Sequence, residues 1–311
     1  MSRVEADFER AVARHRHELL VHCYRMLGSV HDAEDAVQET LLRAWRAADR
    51  FDPARASLRT WLYRIATNAC LTALESRSSR PLPSSVGPAF DDPDAPLVPN
   101  LEVTWLTPIP GDPEASAVER SRLRLALVAA LQLLPARQRA ALILREALDV
   151  PAAEVGESLG MSTAAVNSAL QRARRTLASA GVDPEAAAEP PAEQRAVVDR
   201  YVDAFERADV PAITALLTDD IVLEMPPNEN WYAGRDDYAG FMRRVYRLRG
   251  TDWRTEPIWA NGEAGFVAYV DGRLHTVQVL TVEGGRVART TVFQSPEAFA
   301  AFGLDGDAVI R

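Results

Sequence analysis

Lysine is missing: all 35 basic residues are arginine, a bias of composition from which no function follows. Other scarcities exclude more. Only two cysteines occur in 311 residues. Cys23 and Cys70 both sit in apolar stretches of helical period, which excludes a disulfide framework and predicts reduced core thiols. There is no Cys-x-x-Cys pair. Four of the five histidines, His15, His17, His22 and His31, share the first helical stretch with Cys23. His17 and His22 do not fall on one face at ligand spacing, so neither a metal nor a cofactor is expected. No run approaches the roughly 18 to 20 apolar residues of a membrane helix, and the opening MSRVEADFER has no apolar signal core. A cytoplasmic protein with no membrane partner is expected.

What is present is 47% hydrophobic residues over a length beyond one ordinary domain, enough for two or three small cores. The net charge of -9 is unevenly placed. Residues 1–80 carry 13 Arg against 11 acids, 81–119 none against 7, 120–181 9 against 4, and 182–311 13 against 22. A basic segment therefore sits inside an acidic protein, which hints at local contact with nucleic acid. Solvated helix faces would look the same by charge alone.

Apolar residues recur at helical steps in 5–76. Phe8, Val12, Leu19, Leu20, Cys23 and Leu27 form one run, Val37, Leu41 and Trp45 a second after Gly28-Ser29, and Leu58, Leu62, Ile65, Ala69 and Leu74 a third after Phe51-Asp52-Pro53. Residues 78–114 hold nine of the 20 prolines and no helical period, so they read as an extended linker. Helical period returns over Ala117 to Leu133, over Ala136 to Leu148, and twice more before Gly181. A second linker, VDPEAAAEPPA, occupies 182–192. Beyond it, after helices around 193–208 and 211–217, the runs IVLEM, GFVAYV, HTVQVLTVE and RVARTTVFQ alternate between GEAG, DGR and EGGR turns, which predicts an α+β domain with an antiparallel sheet.

Within 151–179, Pro151 starts a short helix burying Val155 and Leu159, Gly160 supplies a tight turn, and Ser162 caps the next helix. Val166, Leu170, Ala173 and Leu177 face inward on that second helix. Thr163, Asn167, Ser168, Gln171, Arg172 and Arg174 face outward, with Arg175 beside them. A helix pair with a glycine turn and a polar, Arg-bearing second helix has the shape that enters a major groove. An ordinary helical hairpin is the alternative.

Three ordered stretches carry a family likeness. DAEDAVQETLLRAWR (32–46) resembles the core-binding segment of sigma region 2. LRTWLYRIATNACLTAL (58–74) resembles its promoter-melting segment, and LLPARQRAALILREALDVPAAEVGESLGMSTAAVNSALQRARRTL (133–177) resembles region 4. The chain thus looks like an extracytoplasmic-function (group 4) sigma factor of bacterial RNA polymerase. VTWLTPIPG (103–111) is similar to an element of members with a fused C-terminal domain, and the segment from 193 on resembles the SnoaL-like fold. The fold implied is multi-domain. Two all-α sigma domains, a region 2 bundle (5–77) and a region 4 helix-turn-helix domain (117–181), are joined by an extended acidic Pro-rich linker (78–116). After the 182–192 linker comes a C-terminal α+β SnoaL-like cone-shaped domain (193–311).

The resemblance implies two partners, core RNA polymerase (β′ clamp and β subunit) and promoter DNA, and no catalysis. On 32–46, Asp32, Asp35, Gln38, Glu39 and Arg43 would form the polymerase-facing ridge above Val37, Leu41 and Trp45. Around 58–74, Arg59, Trp61, Tyr63, Arg64 and Asn68 supply the cations and ring faces that strand separation requires, each stacked base being worth roughly 1 to 3 kcal/mol. Asn68 matches a position that holds a flipped minus-ten base, while Trp61 reads equally well as core. Thr163, Asn167, Ser168, Gln171, Arg172, Arg174 and Arg175 match the minus-thirty-five reader. The family often has Arg at the places of Asn167 and Ala169, so a changed element is expected. The arginines would mainly hold phosphates, which positions the helix without specifying sequence. The linker would either thread toward the polymerase cleft as a nucleic-acid mimic or serve as a loose tether.

In the last domain, Tyr201, Trp231, Tyr232, Trp253, Trp259, His275 and Gln278 are candidates for the mouth of a cone that takes a small-molecule ligand. Glu224 and His275 are the only acid-base candidates there. The domain is expected to act as a built-in regulator. Two rival readings stay open: a helix-turn-helix regulator independent of core polymerase, and a cyclase-type enzyme with an accessory helical region.

Overall fold

The computed structural model describes residues 10–76 and 79–305; Phe8 lies outside them. The chain divides into two compact units, one drawn from Met1–Arg80 and Ala126–Asp183, the other from Pro81–Leu125 and Pro184–Arg311. The linker is therefore part of the C-terminal unit, and the two sigma-like segments share the other.

In the first unit, α1 (Arg16–Leu27), α2 (Val30–Arg46) and α3 (Leu58–Glu75) pack pairwise. Punctuation residues set their ends. Gly28 closes α1 in the left-handed region (φ 68°), Ser29 accepts from the N–H of Asp32 to start α2, and Ser57 accepts from that of Thr60 to start α3. Leu19, Cys23, Met26, Val37, Leu62 and Cys70 are buried between them. Trp45 is not. It is 57% exposed, because the buried stripe of α2 runs through Ala33, Val37, Thr40 and Ala44, and Trp45 stands one residue, about 100°, beyond it. Leu42 is also exposed.

The helical period from Ala117 to Leu133 breaks at Arg124, whose extended backbone (φ -43°, ψ 131°) separates α4 (Ala117–Leu123) from α5 (Leu125–Gln132). Then come α6 (Ala136–Leu148), α7 (Ala152–Leu159) and α8 (Thr163–Ser179). α6 packs on α7 and α8 and also on α1 and α3, so both sigma-like segments share one core. Arg139 fastens it. Its guanidinium, 2% exposed, donates to the carbonyls of Met26, Gln132 and Leu134 and to Gln132 Oε1 at 2.7 Å. Gln132 Nε2 donates to the carbonyl of Arg25 at 3.3 Å, and the buried Arg25 pairs with Glu146 at 2.6 Å.

The second unit is α+β. α9 (Pro191–Glu206), α10 (Val210–Ala215) and α11 (Arg235–Arg249) accompany β1 (Leu217–Glu224), β2 (Trp231–Ala233), β3 (Trp253–Ala260), β4 (Glu263–Val270), β5 (Arg273–Glu283) and β6 (Arg286–Phe293), followed by α12 (Pro296–Ala301). The strand order is β2-β1-β6-β5-β4-β3. The sheet is mixed rather than antiparallel, because β1 runs parallel to β6, with Leu223 opposite Thr290. The hairpins from β3 to β6 turn on Asn261-Gly262, Asp271-Gly272 and Gly284-Gly285, each pair with both φ positive, as two-residue type I′ turns require. Phe205 lies at the centre of the core, its ring 5.0 Å from Trp253 and 5.3 Å from Phe266.

Two stability outcomes follow. Replacing Arg139 with Met strands carbonyls of three residues in a dry core and should cost at least about 3 kcal/mol in chemical denaturation. His22 is fully buried with Nε2 on Thr67 at 2.9 Å, and burial first, then the charge of Arg25, lowers its pKa from 6.5 to about 3. Its contribution is complete above pH 6.5 and falls as pH drops toward 3, by up to about 1.4 kcal/mol per pH unit. Thermal melts of His22→Gln should lack that slope.

Candidate functional site

The helix-turn-helix is built by close approach. A Cβ on Gly156 in α7 would stand 2.5 Å from the carbonyl oxygen of Met161, so only glycine lets α7 meet the turn. Gly160 adopts φ 64°, and Ser162 Oγ accepts from the N–H of Ala165 at 3.2 Å. Arg137 of α6 donates to the carbonyl of Leu159 at 2.8 Å, closing the end of α7. Val166, Ala169, Leu170, Ala173 and Leu177 are buried, while Thr163, Asn167, Ser168, Gln171, Arg172, Arg174 and Arg175 are all exposed. Ala169 is 0% exposed, so a cation at that place would point into the core.

On α3 the candidate residues separate into two groups. Arg64 and Asn68 are exposed and Trp61 is half-buried; their three- and four-residue steps place them on one face, and the Trp61 ring lies 5.1 Å from that of Phe51. Arg59 and Tyr63 are engaged elsewhere. Arg59 Nε donates to Glu18 at 2.7 Å, its guanidinium lies over the Tyr63 ring, and the Tyr63 hydroxyl donates to Glu18 at 3.2 Å. Tyr63 is 3% exposed, and burial, with the Glu18 charge, raises its pKa to about 12. It is a core residue, not an open stacking face.

On α2, Asp35 and Gln38 are exposed, and Glu39 accepts from Arg43 at 2.6 Å. Asp32 does not join that surface freely: Arg80 holds it at 2.6 Å, with both side chains mostly buried. Leu42 and Trp45 lie four and seven residues past Gln38, so the polar ridge continues into two exposed apolar side chains, of which Trp45 was expected in the core.

In the second unit the linker is docked and is not a loose tether. Four buried side chains of the C-terminal domain accept from main-chain N–H groups, three in the linker and one at Leu125, the first residue of α5. Ser84 N–H reaches Glu224 at 2.9 Å, Val98 N–H reaches Asn230 at 2.6 Å, Ile109 N–H reaches Asn261 at 3.1 Å, and Leu125 N–H reaches Glu263 at 2.8 Å. All four acceptors are at most 3% exposed. Main-chain bonds join Gly111 to Trp259 and Asn261 to Ile109, both at 2.9 Å. Trp105, Leu106 and Ile109 of the VTWLTPIPG element are buried. At the β3–β4 turn, a Cβ on Gly262 would stand 2.7 Å from the Arg120 backbone of α4.

The same unit encloses a cavity of about 320 Å³. Of the predicted mouth residues, Trp253, His275 and Gln278 line it. Glu224, Trp231, Tyr232, Trp259 and Tyr201 do not. Glu224 is 0% exposed and bound to Arg289 at 2.7 Å and to Ser84, so it is not poised as a base. Trp231 donates to the carbonyl of Gly87 at 2.9 Å, and Trp259 lies 5.4 Å from the Arg195 guanidinium. The Tyr232 ring packs 5.2 Å from Phe241, and the Tyr201 hydroxyl bonds to that of Tyr238. Glu224 and Trp231, expected at a ligand mouth, thus hold the linker instead. Asn230 and Asn261 carried no signal beyond that of turn residues. Among the described residues, no group of three or more His, Cys, Asp or Glu could hold a metal, and no helix is long and apolar enough to cross a membrane.

Three family models match in order along the chain: Sigma-70 region 2 over 11–80, Sigma-70 region 4 over 124–177 and a SnoaL-like domain over 198–290. Over 312 aligned residues the chain is 43% identical to the ECF RNA polymerase sigma factor SigG of Mycobacterium tuberculosis, covering 96% of this chain and 84% of that protein. The chain belongs to the ECF RNA polymerase sigma factors. SigJ of Mycobacterium tuberculosis, another such factor, is 28% identical across 91% of this chain and 90% of its own length. A crystal structure of Mycobacterium tuberculosis SigJ aligns with TM-score 0.67 at 25% identity, covering 94% of this chain and 98% of that one. For this sigma factor, regions 2 and 4 are the first unit and the SnoaL-like domain, with the inter-region linker, is the second.

Removing one clamp should be measurable locally. Asn230→Leu leaves the Val98 N–H without its buried acceptor, a loss of about 1–3 kcal/mol. Amide exchange at Val98 should accelerate by roughly 5- to 100-fold, with the Ile109 amide unchanged.

Proposed function

We propose that the chain binds core RNA polymerase through α2, reads two promoter elements through α3 and α8, opens the proximal one, and is regulated by its own C-terminal domain through the linker. One observation carries the regulatory part: the segment joining region 2 to region 4 is held at three points by buried acceptors of the SnoaL-like domain, and a fourth acceptor holds Leu125 where α5 begins. Whatever loosens those points frees the connection between the two DNA-reading regions, because the linker leaves region 2 after Arg80 and rejoins region 4 at Ala126.

Each surface has a stated role. On α2, Asp35, Gln38, Glu39 and Arg43 surround the exposed Leu42 and Trp45, an apolar centre with a charged rim of the kind that docks on a protein partner. On α3, Arg64 neutralises phosphate while Trp61 and Asn68 meet bases on a separated strand, which offsets the stacking lost on melting. On α8, the polar residues meet base edges and Arg172, Arg174 and Arg175 hold phosphates. No bond-breaking step is assigned to the chain; of its two acid-base candidates, Glu224 is committed to Arg289 and Ser84.

Run-off transcription with purified core polymerase and a promoter library tests this. The Arg172→Ala, Arg174→Ala, Arg175→Ala triple variant should lose at least tenfold in transcript, and the salt slope of promoter binding by its holoenzyme should fall by about 0.9 per phosphate contact removed. An Asn230→Ala, Asn261→Ala variant should change transcript yield several-fold. Binding of the free chain to duplex DNA as tight as that of the holoenzyme would favour the polymerase-independent regulator instead. Wild-type yield from a variant whose linker exchange shows it released would end the regulatory part.

A further inference from the structure

The cavity of the SnoaL-like domain is unused by any role described so far. Its volume of about 320 Å³ lies near the lower end of the ~300–1,000 Å³ range of small-molecule sites. The walls are mainly apolar, with Leu223, Met225, Met242, Val245, Trp253 and Val292 prominent, and the polar side chains on them include Arg249, His275 and Gln278 beside Arg244, Thr276 and Gln294. Arg249 is exposed and has no ion-pair partner among the described residues. His275 packs edge-on to Trp253 at 5.3 Å; burial first, then the Arg249 charge, lowers its pKa to about 4. At neutral pH it is an uncharged hydrogen-bonding group, and Arg249 is the one cation of the lining not already bonded to the linker.

The linker forms part of this cavity. Pro96 and Leu97 line it, and the residues around them are strapped to α11. Arg244 donates to the carbonyls of Pro93 and Ala95, Arg247 pairs with Asp94, and a Cβ on Gly240 would stand 2.7 Å from the Pro93 ring. Asn230 grips the same strap twice, accepting from Val98 N–H and donating to the carbonyl of Pro96 at 3.2 Å. α11 thus presents Met242, Val245 and Arg249 to the cavity while Gly240, Arg244 and Arg247 hold the strap.

We propose that this cavity binds a ring-containing apolar monocarboxylate, with the ring between Met242, Val245 and Trp253 and the carboxylate toward Arg249, and that occupancy is transmitted to the linker through the Pro96-Leu97 wall. The size admits one or two fused rings, the mainly apolar walls favour a ring over a sugar, and a single arginine without an ion-pair partner calls for a single anionic group. The proposal rests on the reading of this domain as regulator of the sigma regions and names the input to that regulation.

The test uses the full chain and 2-naphthoate as probe, with neutral 2-naphthol as its isosteric control. Saturable one-to-one binding should appear by calorimetry. Arg249→Gln, at an exposed position, should weaken naphthoate at least fivefold and leave naphthol within twofold, and Val245→Trp, which fills the cavity, should abolish both. Saturating naphthoate should change amide exchange at Val98 at least threefold and leave the Ile109 amide unchanged. No saturable binding at millimolar naphthoate, binding that survives a folded Val245→Trp variant, or equal weakening of both probes by Arg249→Gln would overturn the site. Binding without any change at Val98 would overturn the coupling. These readouts involve neither polymerase nor promoter, so their failure is separate from that of the transcription experiment.

Discussion

A proline-rich segment cannot satisfy its own backbone, and that constraint organises the second unit. Between Pro81 and Ser116 the chain has neither helix nor strand beyond one short 3₁₀ turn, so any N–H it buries must find a partner elsewhere. Glu224, Asn230 and Asn261 provide three, and Glu263 takes the N–H of Leu125 beyond the segment. Each is itself a polar group in a dry place and would be costly there alone. Acceptor and donor are therefore mutually dependent, which makes the linker part of the domain's fold and not an appendage.

The first unit is organised differently, by one buried cation. Arg139 spends its donors on carbonyls from the end of α1 and the α5–α6 connection, and burial pulls its pKa down to about 10. Regions 2 and 4 thus meet in a shared polar node set in apolar surroundings. The residues proposed to meet DNA and polymerase are exposed or half-buried on α2, α3 and α8, apart from the buried Arg139. The shared core and those surfaces thus use different side chains.

The helix-turn-helix was legible because three independent local signals agreed: the apolar period of α8, the glycine turn and the serine cap. Where a single signal acted alone, the outcome was poorer. Periodicity placed Trp45 inside, although the alanines beside it form the closer packing stripe. Tyr63 looked like an exposed ring because nothing local announces Glu18, 45 residues away. α11 was missed since Gly240 interrupts its apolar pattern, yet that glycine is what admits Pro93. β3 was obscured by Pro257, which an edge strand tolerates. The parallel β1–β6 pair and the linker clamps are contacts between distant segments, and composition or period cannot encode which distant partner a main-chain N–H will find.

Recognition in the strap is directed at peptide groups, with Asn230, Asn261, Arg244 and the two glutamates addressing N–H or C=O and not particular side chains. Such a grip is blind to most of the text it holds. Mutational drift could thus rewrite outward-facing linker positions such as Asp91, Asp92 and Glu102 while the tether stayed docked, whereas the gripping side chains have little such latitude. Divergence among fused factors of this design should accumulate in the held strand before it reaches the hand.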